Sequence, residues 1–209
     1  MNGPVAYLLT TVGCLAVVAG VVIAAWAQRR TSRRPPGTRV AQEDPLRDRD
    51  ADALRGDPRR LKPGDLVEVS GGVTYAVRGS VRLVEGAWSW TEHLLDDADG
   101  VRRWLSVEED PELELVLWAA EPGTTITPGA PTIDFAGRHY RWSESGQARY
   151  TAVGTTTLDP SGTLRYHDYQ ASGGERLSFE AYGEAGWEVA RGERLHRSEV
   201  MIYPRDEVA

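Results

Sequence analysis

Apolar and polar positions alternate in twos along most of this chain. Turn signals recur about every ten residues, the mark of an all-β domain. Leu66, Glu68 and Ser70 alternate with Val67 and Val69, and Gly71-Gly72 predicts a tight turn. Strands are expected over residues 73–78 and 80–85, separated by Gly79. Residues 87–95 place Trp88, Trp90, Glu92 and Leu94 on one face. After the acidic loop at residues 96–100, Val101, Arg103, Leu105 and Val107 alternate again. Leu113, Leu115 and Leu117 share a face beyond Asp110-Pro111. A glycine-rich loop at 122–131 separates this first pass from a second, which runs from Thr132 to about Tyr203. Residues 50–61 are the one helical candidate after the N-terminal region.

The two passes resemble each other. Gly72-x-x-Tyr75 matches Gly137-x-x-Tyr140. Trp104-Leu105-Ser106-Val107-Glu108 matches Arg176-Leu177-Ser178-Phe179-Glu180, and Trp90-Thr91-Glu92 corresponds loosely to Tyr166-His167-Asp168. One half alone would bury little core and leave strand edges open. The expected body is therefore one all-β domain over residues 61–209. It would be made of two antiparallel β-meander pseudo-repeats, about 61–121 and 132–203, packed as a sandwich or partly open barrel.

The first sixty residues follow other rules. Residues 5–26 carry no charge and include ten Val, Leu or Ile. A helix of that length spans about 33 Å, enough for a hydrocarbon core of about 30 Å. Its insertion would gain on the order of 3 to 6 kcal/mol. Tyr7 and Trp26 stand at its ends, where aromatic residues favour the headgroup zone. A cleaved signal peptide is the rival, with Ala25 and Ala27 before Gln28. Against it, no Lys or Arg precedes the run, and the run is longer than a usual signal core. Arg29, Arg30, Arg33 and Arg34 follow at once and hold that end inside by the positive-inside rule. The expectation is a single transmembrane anchor over residues 1–27, with the N-terminus outside and the body cytoplasmic. Residues 28–60, rich in Arg, Asp and Pro, read as a disordered tether. The same four arginines could lie on anionic lipid, although topology alone accounts for them. Ala16, Gly20 and Ala24 repeat every four residues, a spacing that permits a homodimer through the anchor.

Charge divides along the same line. Residues 1–60 hold ten Arg and six acidic residues, a balance of +4. The rest holds 14 basic and 25 acidic groups, a balance of −11 that completes the −7 of the whole chain. Such a body is a poor nucleic-acid binder and attracts cations. The single cysteine, Cys14, lies in the apolar run, which excludes a disulfide framework and a Cys-based zinc site.

Catalytic signatures are absent. There is no Gly-x-Ser-x-Gly, no Walker A and no Rossmann fingerprint. The histidines, His93, His139, His167 and His196, lack metal-binding spacing. His93 and His167, beside Glu92 and Asp168, are expected to be strand-face histidines rather than metal ligands. No cofactor is predicted. Glu92 shares its face with Trp88, Trp90 and Leu94, so its carboxylate needs a partner. The structural reading pairs it with an arginine such as Arg103. The functional reading is a cation site of Glu92, Trp88, Trp90 and Asp168, suited to an ammonium or polyamine.

The run from Gly71 to Trp118 resembles the family known as domain of unknown function 4178, in which a glycine-flanked aromatic strand precedes W-x-E-x-x-L and an aromatic-Leu strand. Here these are Gly72, Tyr75, Trp90, Glu92, Leu95, Trp104 and Leu105. The resemblance extends over about residues 61–203. It implies no catalytic residues. Through the membrane-protein genes that accompany some members, it implies an envelope-linked role. The leading expectation is a non-enzymatic, membrane-anchored module that binds a protein partner at the inner membrane face. The rivals are an outward-facing carbohydrate binder and a small-cation receptor or enzyme centred on Glu92.

Overall fold

The computed structural model describes residues 52, 54–69 and 71–205. The anchor, most of the tether and the arginines Arg29, Arg30, Arg33 and Arg34 lie outside them. Among the described residues no helix is long and apolar enough to cross a membrane.

The body consists of eleven strands: β1 Leu66–Val69, β2 Val73–Glu85, β3 Trp88–Asp97, β4 Arg102–Glu109, β5 Leu113–Ala120, β6 Thr132–Phe135, β7 Arg138–Gly154, β8 Ser161–Ala171, β9 Arg176–Tyr182, β10 Glu188–Leu195 and β11 Val200–Tyr203. Their order is β11-β1-β2-β3-β4-β5-β10-β9-β8-β7-β6, and β2 also pairs with β7. That last pairing joins β2, β3, β4, β5, β10, β9, β8 and β7 into a closed, eight-stranded antiparallel barrel. The expectation of a sandwich or partly open barrel is thereby corrected. Closure depends on the two longest strands changing partner along their length. The start of β2 pairs with β1, and residues 79–84 pair with β7. The start of β7 pairs with β6, and residues 149–154 pair with β2. Each strand shifts register where it switches, between Val77 and Gly79 in β2 and between Trp142 and Glu144 in β7. Gly79 therefore does not separate two strands. A side chain there would meet Thr156 Cγ2 at 2.5 Å and the Thr155 carbonyl at 2.7 Å.

The segments matched in sequence make matching cross-strand pairs. Glu92 stands opposite Ser106 and Trp90 opposite Glu108. Asp168 stands opposite Ser178 and Tyr166 opposite Glu180. Tyr75 lies opposite Asp97, five residues after Glu92, whereas Tyr140 lies opposite Ala171, three after Asp168. This two-residue offset between the halves preserves which side chains face inward, because strand faces alternate with a period of two.

The apolar core is mostly outside the barrel. β1, β11 and the start of β2 fold over the outer face of β3, β4, β5 and β10, burying Val67, Val77, Leu95, Leu105, Leu115 and Val200. β6 and the start of β7 cover β8, β9 and β10 in the same way, over Tyr140, Tyr169, Leu177 and Phe179. A smaller apolar cluster, including Val81, Leu83, Ala148, Tyr150 and Leu164, fills part of the interior.

The chain before β1 is tied to the barrel. Arg197 donates to Asp52 at 2.8 Å and also to the Gly56 carbonyl, and Arg59 donates to Glu109. A turn of 3₁₀ helix at Pro58–Arg60 occupies part of the predicted helical segment.

Candidate functional site: an acidic and aromatic lumen

Alternation decides what enters the lumen. β3 and β9 lie four positions apart in the eight-stranded ring, on opposite walls. Contacts between them cross the interior. Tyr182 of β9 reaches Glu92 of β3, hydroxyl to carboxylate Oε2, at 3.5 Å. The same hydroxyl contacts Glu180 Oε2 at 3.1 Å. Trp90 Nε1 donates to the other oxygen of Glu92 at 3.0 Å. Cross-strand partners share a face, so Ser106, Glu108, Asp168, Ser178 and Glu180 also face inward. Tyr166 faces inward too and donates to Glu85 at 2.6 Å.

Three of these carboxyls form the chemical centre. Glu92 is buried, and Asp168 and Glu180 are half-buried. Burial raises the Glu92 carboxyl above its ordinary range, and the bonds from Trp90, Tyr182 and Glu180 offset this only in part. Burial also pushes Glu180 well up, reinforced by the charges of Glu92 and Asp168. Asp168 is pushed up to about 7, first by burial and then by the charges of Glu144, Glu92 and Glu108, against a bond from Ser178. Among the described residues no arginine or lysine forms an ion pair with any of the three. Arg176 instead bonds Glu114 at 2.8 Å, with Arg194 at 3.7 Å from the same carboxylate. Asp168 Oδ1 is sealed from solvent and has no hydrogen-bond partner. A sealed acceptor without a donor costs about 1–3 kcal/mol, more when charged.

The predicted site residues divide. Glu92, Trp90 and Asp168 meet in the lumen. Trp88 stands opposite Glu85 at the end of β3 and is 39 % exposed. Arg103 is not the partner of Glu92; it bonds the Arg102 carbonyl and sits on the opposite face of β4. His93, next to Glu92, points to the other side of the sheet. It is buried beneath the outer layer, bonded to Ser80 at 2.8 Å, and lowered to about 4 by burial, against a smaller pull from Asp65. This strand-face histidine is a neutral core group. Among the described residues no group of three His, Cys, Asp or Glu is arranged to hold a metal ion. Sequence reading passed over Glu180 and Tyr182. The match of Glu180 to Glu108, one alternation from Ser178, carried the signal that it faces inward.

The model of the domain of unknown function DUF4178 matches residues 62–197 of the chain. The chain belongs to the DUF4178 family. The match spans the barrel from the approach to β1 through β10. Uncharacterised proteins of Mycobacterium bovis and Mycobacterium tuberculosis are each 36 % identical over 210 residues, covering 97 % of this chain and 98 % of theirs. No solved structure matches. For DUF4178 the resemblance read from Gly72, Tyr75, Trp90 and Glu92 thus holds across the whole barrel.

Proposed function

We propose that the barrel is a binding module whose lumen takes a small organic cation bearing an ammonium group. The carboxyls of Glu92, Asp168 and Glu180 would hold the charge, with Trp90 and Tyr182 beside it. The observation that carries this reading is the sealed, unpartnered Oδ1 of Asp168 among carboxyls that form no ion pair with a described arginine or lysine. A bound ammonium would supply the missing donors and the missing charge. Eight strands enclose room for side chains and at most one small ligand. Aromatic walls favour an organic cation, and the acidic body favours its approach.

The test is thermal melting of the full chain with methylamine, 1,4-diaminobutane and spermidine at mildly alkaline pH. Stabilisation by an amine, lost in Asp168→Asn and in Glu92→Gln while both variants remain folded, supports the reading. An amine response equal in wild type and variants, or none, overturns it.

We propose further that the module works at the inner face of a membrane without catalysing a reaction. The support is in the sequence: the uncharged run at residues 5–26, followed by Arg29, Arg30, Arg33 and Arg34. A C-terminal fusion to alkaline phosphatase or to a fluorescent protein tests the placement. Fluorescence at the cell periphery without phosphatase activity is expected, and the reverse pattern rejects it.

A further inference from the structure

Resting on the cation-binding reading, we infer that the lumen exchanges a proton for its ligand: an ammonium enters as the proton shared by Glu92, Tyr182 and Glu180 leaves.

Counting hydrogens leads to this. The Tyr182 oxygen lies 3.5 Å from Glu92 Oε2 and 3.1 Å from Glu180 Oε2. A phenol has one proton to donate and can accept another. With both carboxyls ionised, one of the two contacts would set a lone pair against a lone pair. With one carboxyl protonated, that acid donates to the phenol oxygen and the phenol donates to the other carboxylate. Both contacts are then hydrogen bonds. The empty site thus holds one proton and one negative charge.

Among the described residues no arginine or lysine forms an ion pair with Glu92 or Glu180. Facing Glu92 are Glu85 from β2, Glu108 from β4, Glu144 from β7, Asp168 and Tyr166 from β8, Glu180 and Tyr182 from β9, and Glu188 from β10. The inward arginines, Arg176 and Arg194, engage Glu114, and Arg176 keeps one sealed N–H group, Nη1, without a partner. Burial raises both carboxyls of the pair, and the charge of Glu92 raises Glu180 further, in keeping with a retained proton.

Balance fixes the stoichiometry. The acid O–H breaks, its proton passes to solvent, and the ammonium N–H groups take over as donors to two carboxylates. The pair with its proton carries one net negative charge, and so does the ionised pair with one ammonium bound. The ligand must therefore bring N–H groups. The rings are not free to cage a cation that lacks them: Trp90 and Tyr166 meet edge to face at 5.7 Å, and Tyr150 and Tyr182 at 5.3 Å.

The experiment is titration calorimetry of the full chain with 1,4-diaminobutane and with tetramethylammonium. Each is run in two buffers of different ionisation heat and over a range of pH. Expected at pH 8, where Asp168 is ionised before binding, is release of about one proton per diamine bound, with an affinity that rises with pH by up to about tenfold per unit below the pair's titration. Tetramethylammonium should not bind. Glu180→Gln, checked for folding by circular dichroism, should still bind the diamine, more weakly and without proton release. Diamine binding with no proton release, or tetramethylammonium binding equally well, overturns the exchange but leaves the cation site standing. Absence of any diamine binding overturns both.

Discussion

The indole of Trp90 meets the phenol of Tyr166 edge to face, with ring centres 5.7 Å apart. β3 and β8 are not neighbours in the sheet, so this contact is made through the lumen. Each ring also orients a lumen acid, because Trp90 donates to Glu92 and Tyr166 to Glu85. The pair therefore couples opposite walls of the barrel.

A double-mutant cycle with Trp90→Leu and Tyr166→Leu is expected to show a coupling of about 0.5–1.5 kcal/mol, the usual worth of such a ring pair beyond its buried area. Urea denaturation of the four proteins provides the measurement. Additive losses would mean that the rings stand side by side without supporting each other.

Both seams that join the halves of the barrel carry a glycine in a tight place. At the β5–β10 seam a side chain on Gly192 would meet Trp118 Cζ3 at 2.6 Å and Val116 Cγ1 at 2.7 Å. At the β2–β7 seam one on Gly79 would meet the Thr155 carbonyl at 2.7 Å. Gly192→Ala is expected to destabilise by about 1–3 kcal/mol, the ordinary cost of overpacking. Gly79→Ala should cost more, because a backbone carbonyl yields less readily than the rim of an indole ring. Gly186, with nothing within 4 Å of an added Cβ, is the control, and Gly186→Ala should leave stability almost unchanged. Chemical denaturation of the three variants checks the ranking.

The strands were legible in the sequence because each shows its buried face at a period of two. The alternation of Trp88, Trp90, Glu92 and Leu94 placed Glu92 on a shared face, and that face enters the lumen. Closure was not legible. It depends on β2 and β7 each leaving one partner for another halfway along, and no residue pattern marks that change. Gly79 reads locally as a break, while its role is to let residues 155–156 approach. Nor could alternation reveal that the more apolar face of the sheet lies outside. That is decided by the β1–β11 and β6–β7 layers folding over it, which are non-local contacts. For the same reason Arg103 was an unsuitable partner for Glu92. Residues close in sequence register can stand on opposite faces, and the groups that meet Glu92 are Trp90 from its own strand and Tyr182 from the far wall.

Stability should depend on pH through two buried groups of opposite sign. Asp168 is pushed up to about 7 from an ordinary 3.8, so the folded chain keeps a proton that the unfolded chain gives up between those values. Its contribution therefore weakens as pH rises through that window and is level above it. The raised carboxyls of Glu92 and Glu180 act in the same direction. His93 is lowered to about 4 from 6.5, so the unfolded chain binds the extra proton, and this contribution grows as pH rises across that range. Three carboxyls outweigh one imidazole, and the melting temperature in the absence of amines is expected to fall by several degrees from about pH 5 to about pH 8. Asp168→Asn should flatten the fall, because it removes a titrating acid and keeps a neutral side chain of the same shape. His93→Gln should steepen it, because it removes the opposing slope. Differential scanning calorimetry over that range measures all three. A wild-type melting temperature that rises toward pH 8, or an Asp168→Asn profile parallel to wild type, would show that these carboxyls are ionised in the folded lumen.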